Sequence, residues 1–339
     1  MKILFIGGTG RISTSVTKLC IEKGYEVYLL NRGIMSARIP EGAIHLKGDI
    51  NDEKNIAGLL KGHYFDAVAN FINYVPEQVE RDIRLFSGIT GQYIFISSAS
   101  AYQKPLSFYK ISESTPLANP FWQYSRDKIA CEERLAEEYR KNGFPFTTVR
   151  PSHTYDEYTV PFAIHGRHGS WQIMKRMREG KPVLVHGDGL SLWTLTHSRD
   201  FAKGFVGLIG NIHATGESVH ITSDESLTWN QIHELVGREL GVAPVHFHVS
   251  SHIIAAADSG IGDGLLGDKS HSVVFDNSKI KALVPGFEAT IRFDIGVRES
   301  VANFLLHAEL RVEDPEFDRL TDSIIRAVKS AKKSLISTT

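Results

Sequence analysis

Cysteine is scarce in this 339-residue chain, and neither sign of charge predominates. Its two cysteines, Cys20 and Cys131, are too few for a disulfide framework. Both sit in stretches of helical pattern and read as small buried residues, a usage that suits a reducing cytosol. Lys and Arg number 38 against 39 Asp and Glu, a formal net charge of −1. That balance offers no global attraction to phosphate, so a nucleic-acid coat or a membrane-surface protein is not expected. Long apolar runs are missing too. Ile3–Ile6 is followed at once by Gly7, too short for a signal-peptide core and far below the ~20 apolar residues of a membrane span. The expectation is a cytoplasmic protein without a membrane partner. No low-complexity tract or repeat is present. What remains is 42% hydrophobic residues, an ordinary globular composition for roughly two domains or one large one.

The first 150 positions alternate in type. Short apolar runs lie at Ile3–Ile6, Glu26–Leu30, Ala43–Leu46, Asp66–Ala69, Tyr93–Ile96 and Phe146–Val149. Helix-length stretches separate most of them: Ile12–Lys23, Asp52–Lys61, Glu77–Phe86 and Tyr124–Asn142. Continuous apolar strands alternating with helices indicate a parallel sheet covered on both faces, hence an α/β, Rossmann-like doubly wound fold. Beyond about residue 155 the pattern loosens. Helices are expected at Ser170–Glu179, Ser198–Gly210, Thr228–Leu240 and Ile291–Leu306, with a capping box at Thr228 and Gln231. Strands are expected at Val183–Val185, Leu195–His197, Ser218–Thr222 and Val245–Val249. Gly260–Gly267 reads as a mobile loop, and Pro315–Leu335 as an amphipathic helix docked on the body.

Gly7-Gly8-Thr9-Gly10-Arg11-Ile12-Ser13 closes the first strand and opens the first helix. Gly7 permits the tight turn, Gly10 lets backbone approach a pyrophosphate, and Ser13 is small enough for helix to pack on strand. A dinucleotide site follows from that placement. The second strand ends in Asn31 and Arg32 rather than an acidic residue. Arg32 can pair with a 2′-phosphate, so NADP is favoured over NAD. Asp49, beside Ile50, is placed to accept from an adenine amino group, or else to cap the helix after it.

Ser98 follows the fifth strand, and Tyr124 and Lys128 stand one helical turn apart. A nearby ammonium favours a phenolate, and a serine hydroxyl can donate to a carbonyl oxygen as charge builds there. The three suit proton transfer at a carbinol coupled to hydride transfer. Ser97 and Ser100 compete for the role of Ser98.

The Gly7–Ser13 turn, Ser98 and the Tyr124/Lys128 pair together resemble the extended short-chain dehydrogenase/reductase superfamily, and its NAD-dependent epimerase/dehydratase branch in particular. Asn31-Arg32-Gly33 and Ser152–Asp156 are also similar to the subgroup containing chloroplast stem-loop-binding proteins. The resemblance implies that Ser98 orients the substrate oxygen, Tyr124 is the acid/base, and Lys128 binds the nicotinamide ribose and tunes Tyr124. It maps cofactor contacts onto Gly7, Thr9, Gly10, Arg11, Ile12, Asn31, Arg32, Asp49, Ile50, Phe71, Ile72 and Pro151, with Asn73 beside the substrate. It also implies a homodimer through Glu77–Phe86 and Tyr124–Asn142, although Glu132, Glu133, Glu137 and Glu138 could equally form a solvated face.

The chain departs from the branch's nucleotide-sugar enzymes. His153 stands where they carry Asn, Trp193 where they carry a diphosphate-gripping Arg, and Asp268–His271 holds no Arg. Asp156-Glu157 would repel a diphosphate. These differences favour another sugar or small carbonyl or carbinol substrate. His153 is expected to touch it; Trp193 is expected to stack on it or to pack the seam between lobes. No metal site is expected among the 15 histidines. The fold expected is a dinucleotide-binding domain over 1–165, rejoined by segments near 190–222 and 285–310. Residues 166–339 form mainly a smaller α/β substrate lobe and a terminal helix. The function expected is NAD(P)-dependent epimerase, dehydratase or reductase chemistry. The alternative is a nucleotide-binding regulatory or RNA-associated protein of the same fold without turnover.

Overall fold

Strands that are apolar on every residue need cover on both faces, and the sheet is built to supply it. The computed structural model describes residues 1–34 and 38–337. The first half runs β1 (Lys2–Ile6), α1 (Arg11–Glu22), β2 (Glu26–Asn31), β3 (Ile44–Lys47), α2 (Glu53–Leu60), β4 (Ala67–Asn70) and α3 (Pro76–Phe86). It continues through β5 (Tyr93–Ile96), β6 (Lys110–Ile111), α4 (Gln123–Asn142), β7 (Phe146–Pro151) and β8 (His153–Tyr155). The second half runs α5 (Trp171–Arg178), β9 (Val183–His186), β10 (Leu192–His197), α6 (Ser198–Leu208), β11 (Ser218–Ile221), β12 (Ser226–Thr228) and α7 (Trp229–Leu240). It ends with β13 (His246–Val249), α8 (Ser251–Ala257), α9 (Ser259–Gly264), β14 (Val274–Phe275), α10 (Ser278–Leu283), α11 (Phe293–Leu306) and α12 (Pro315–Ser337).

Seven strands pair in parallel in the order β11-β7-β5-β4-β1-β2-β3. Side chains alternate between the faces. Ile3, Phe5, Val27, Leu29, Ala67 and Ile94 pack with Val16 and Cys20 of α1 and Phe201 and Phe205 of α6. Leu4, Ile6, Tyr28, Leu30, Val68 and Phe95 pack instead with Ile56 of α2, Ile83 and Phe86 of α3, and Cys131 and Leu135 of α4. Both cysteines are buried and free. Burial pushes each thiol up to about 12, so neither is a ready nucleophile. Strand order reverses between β1 and β4, which opens a crevice at their C-terminal ends.

The remaining elements form a lobe with its own aromatic core, including Trp171, Trp193, Trp229, Phe293, Val297 and Phe317. Its strands are the three-stranded set β12-β10-β8 and the parallel pairs β13-β9 and β14-β6. Of the late segments, α6 and β11 join the large sheet, while α11 packs on α7 and β10 within the lobe. Arg176 of α5 ion-pairs with Asp318 and Asp322 of α12 and holds the terminal helix down. The capping box forms as the spacing predicts: Thr228 Oγ1 accepts from Gln231 N at 3.1 Å, and Gln231 Oε1 accepts from Thr228 N at 2.9 Å.

Two expectations are overturned. Gly260–Gly267 is not a loop but α9 followed by a π-helical turn at Leu265–Lys269. Its glycines serve close packing, since a Cβ on Gly262 would fall 2.5 Å from the Ala255 Cβ. Nor is the acidic run of α4 a uniformly solvated face. Glu132 is buried against Arg150 at 2.5 Å, and Glu138 is buried against Arg134 at 2.7 Å. No helix among the described residues is long and apolar enough to cross a membrane.

Candidate active site

The crevice over β1, β2 and β4 is a cavity of about 590 Å³. Its floor is the turn after β1, where Gly7 and Gly8 take φ of +100° and +79°. A side chain is excluded there twice over, because a Cβ on Gly8 would also sit 2.5 Å from Leu29. Ser13 Oγ accepts from Gly10 N at 2.9 Å and locks the start of α1. Gly7, Thr9, Gly10, Arg11, Ile12, Asn31, Arg32, Asp49, Ile50, Phe71 and Ile72 all line this cavity. Pro151 is not among its lining residues and is buried at the end of β7. Asn31 acts as a brace: its Nδ2 donates to Gly7 O at 3.0 Å, and its Oδ1 accepts from Gly33 N at 2.9 Å. Arg11 and Arg32 are exposed on the rim, with no ion pair among the described residues. Asp49 bonds Asn51 through one carboxylate oxygen, while Asp52 caps α2. A cradle without Cβ atoms, a helix N-terminus and two uncommitted guanidiniums fit a dinucleotide.

Beneath the cavity lies a buried polar hub. Asp82 accepts from Asn70 Nδ2, Asn73 Nδ2 and Tyr93 Oη, and ion-pairs with Arg81 at 2.8 Å. Burial raises its carboxyl above the usual carboxylate range despite Arg81 and these donors. Arg81 also donates to Asn73 Oδ1 at 2.7 Å. The Asn73 side chain is therefore committed to the hub and 1% exposed, so it is a support rather than a substrate contact.

Asn73 does reach the chemistry through its backbone. Its carbonyl accepts from Lys128 Nζ, which also donates to Ile96 O at 2.8 Å. The ammonium lies 4.8 Å from the Tyr74 ring centroid and 5.7 Å from that of Tyr124. Burial pulls Lys128 down to about 8. It pushes Tyr124 up to about 12, and a hydrogen bond with the Ser98 side chain only partly opposes this. In this state the phenol keeps its proton. Behind Ser98 runs a chain of hydroxyls, Ser98 Oγ to Ser100 Oγ at 2.9 Å and Ser125 Oγ to Ser100 Oγ at 2.7 Å. Ser97 turns away to Glu132.

His153 stands on β8 against Trp193. The indole Nε1 donates to His153 Nδ1 at 3.1 Å, which makes Nδ1 an acceptor and leaves Nε2 with the proton. Burial first, then Lys269 and Arg11, hold this imidazole well below its ordinary value. Trp193 itself is 2% exposed and lies 5.2 Å from Trp229, centroid to centroid. Trp193 therefore packs within the lobe core, as one of its two readings expects.

With this geometry in place, comparison with known proteins is decisive at the family level. The NAD dependent epimerase/dehydratase family matches residues 3–221. The chain belongs to that family. This makes it an enzyme of the epimerase, dehydratase or reductase type. A curated relative, 2'-dehydrokanamycin reductase of Streptomyces kanamyceticus, is 24% identical over 241 residues, 71% of this chain and 67% of that protein. The chloroplast stem-loop binding protein of 41 kDa b of Arabidopsis thaliana is 25% identical over 242 residues, 68% of this chain and 60% of that protein. Among solved structures, UDP-glucuronic acid 4-epimerase from Bacillus cereus, in complex with UDP-glucuronic acid and NAD, superposes with a TM-score of 0.72 at 18% identity. That alignment covers 91% of this chain and all of the other.

Within this family member, sequence reasoning missed Ser125, Tyr74, Trp122 and Lys269, and weighed Ser100 only as a competitor of Ser98. Tyr74 and Trp122 flank Tyr124, with ring centroids 6.4 Å and 4.9 Å away. Trp122 immediately precedes α4, a position from which it could have been suspected. Nothing local signals Lys269. Among the described residues no cluster of His, Cys, Asp and Glu is arranged to hold a metal.

Proposed function

We propose that this chain is an NADP-preferring oxidoreductase of its family, acting on a carbonyl or carbinol of a sugar-like small molecule with Tyr124 as acid/base. The observation that carries the reading is the convergence of Ser98, Tyr124 and Lys128 beside the glycine-turn cavity. When bound, the nicotinamide supplies or accepts the hydride. The protein's part is positional and protic. Ser98 donates to the substrate oxygen and aligns it with the Tyr124 hydroxyl. A phenol that holds its proton is ready to give it to that oxygen as a carbonyl is reduced, and Ser100 and Ser125 extend a path for its replacement. Lys128 keeps one N–H beyond the two carbonyls it bonds, available to a ribose hydroxyl of the cofactor. The absence of an acid at Asn31 and the uncommitted Arg32 and Arg11 support a 2′-phosphate.

The test is oxidation of NADPH and NADH with a panel of oxidised sugars and small ketones. Turnover is expected to favour NADPH. Tyr124→Phe should lower kcat by roughly 10²- to 10⁴-fold without weakening cofactor binding. Arg32→Ala should raise the Kd for NADPH about tenfold or more while leaving NADH unchanged. Turnover undiminished in Tyr124→Phe would sink the catalytic assignment.

A further inference from the structure

Close to the catalytic wall stands a half-buried cation that the catalytic scheme does not use. Lys269 ends the π-helical turn Leu265–Lys269, a rare geometry often found at functional sites. The turn is fastened to the catalytic wall, because Asn119 Nδ2 donates both to Gly267 O at 2.7 Å and to Ser100 O at 2.9 Å. A Cβ on Gly267 would fall 2.7 Å from the Trp122 Cβ, so glycine allows the turn to close on Trp122. Gly264 makes room for the ammonium itself, with a Cβ there only 3.2 Å from Nζ. Lys269 Nζ consequently lies 5.5 Å from the centroid of Trp122, the ring that flanks Tyr124.

No carboxylate among the described residues ion-pairs with this ammonium. Its neighbour Asp268 is engaged by the buried Lys104 at 3.2 Å. The other titratable groups in its field are the imidazoles of His153, His165 and His186, each lowered first by desolvation and also by the Lys269 charge. Arg11 shares this field, but it belongs to the glycine turn, where cofactor phosphates would claim it. A half-buried ammonium with no carboxylate of its own, beside imidazoles that stay neutral, offers its charge to an anionic ligand.

We propose that Lys269 is a specificity-determining residue that selects substrates bearing an oxyanion, a carboxylate or a phosphate, on the skeleton whose carbonyl meets Tyr124. This rests on the reading of the Tyr124 cleft as the reaction site. The class differs from a nucleotide diphosphate: a single lysine presents a point charge, with no guanidinium fork beside it. The imidazole Nε2–H of His153 is a further donor on the same wall.

Calorimetric binding of galactose, galacturonate and galactose 1-phosphate to the full chain with saturating NADP tests this without requiring turnover. Either anionic sugar is expected to bind at least tenfold more tightly than galactose, and the better one identifies carboxylate or phosphate. Lys269→Met should abolish that preference while leaving galactose unchanged, and Lys269→Arg should retain most of it. Lys269→Gln serves as the neutral variant should the Met variant fold poorly. The proposal is overturned if neither anionic sugar binds better than galactose, or if the preference survives in the neutral variants. The outcomes separate the two claims. Selective binding without hydride transfer would defeat the proposed function alone, and hydride transfer with a preference indifferent to Lys269 would defeat this inference alone.

Discussion

The sheet and the C-terminal lobe bury polar groups in opposite ways. Under the cofactor crevice the buried charges are gathered into a hub, where Asp82 and Arg81 satisfy each other along with Asn70, Asn73 and Tyr93. The lobe pairs Arg176 with Asp318 and Asp322, but it also buries imidazoles set among aromatic rings. His186 Nδ1, His233 Nδ1 and His246 Nε2 have no hydrogen-bond partner among the described residues. His233 meets Phe162 and His246 edge-on, and His186 meets Trp229. The hub builds charge into the fold; the histidines are stable there only while uncharged. The sheet half should therefore be sensitive to losing a partner, and the lobe to gaining a proton.

The sharpest way to break this contrast is Asp82→Ala. It strips the hub of its only anion and leaves Arg81 buried and unpaired, which should cost about 3–5 kcal/mol in denaturant unfolding. It should also loosen Asn73, whose carbonyl holds Lys128, so residual activity should fall further than stability alone explains. A loss near that of a surface substitution would mean that the hub is dispensable.

Acid should find the lobe instead. Burial holds His186 down to about 4 and His233 down to about 3, against an ordinary value of 6.5. Above pH 6.5 neither folded nor unfolded chain carries these charges. As pH falls below that, the unfolded chain binds protons that the folded lobe refuses, so stability is lost down to the folded values. Between pH 7.5 and 5 the pair should cost roughly 4 kcal/mol. His233→Leu should recover about half of that loss while changing stability at pH 7.5 by only about 1 kcal/mol. An unfolding midpoint equally acid-sensitive in the variant would remove the histidines from the account.

The same contrast explains what could be read from the chain alone. β1, β2, β4, β5 and β7 announce themselves as continuous apolar runs, and the Gly7–Ser13 turn is compact in sequence because one strand–helix junction makes it. Partnerships across the chain were another matter. Glu132 looks solvated until β7 brings Arg150 beside it. Trp193 stands at a position suited to substrate, yet its environment is set by Trp229 and His153. Asn73 sits at a contact position, but Arg81 and Asp82 claim its amide. Gly260–Gly267 suggests flexibility, because composition does not reveal that Ala255 and Trp122 need those glycines small. Strands such as β6 and β14 are two residues each and exist only because they pair with one another.

Thr228 marks the limit of that contrast, since it is a locally determined feature inside the less legible half. Its hydroxyl accepts from Gln231 N, and Gln231 returns a carbonyl oxygen to Thr228 N. The motif fixes the start of α7 and, with it, Trp229, whose ring packs on Trp193 and whose Nε1 donates to Lys269 O at 3.0 Å. Thr228→Ala should remove about 1 kcal/mol, the smallest of these effects, and the loss should be independent of pH because neither partner titrates. Thr228→Ser keeps the oxygen and should recover most of it. A cap variant whose loss grew steeply with acid would instead show that opening the start of α7 exposes His233 to protons. The lobe's local and long-range order would then be a single cooperative unit.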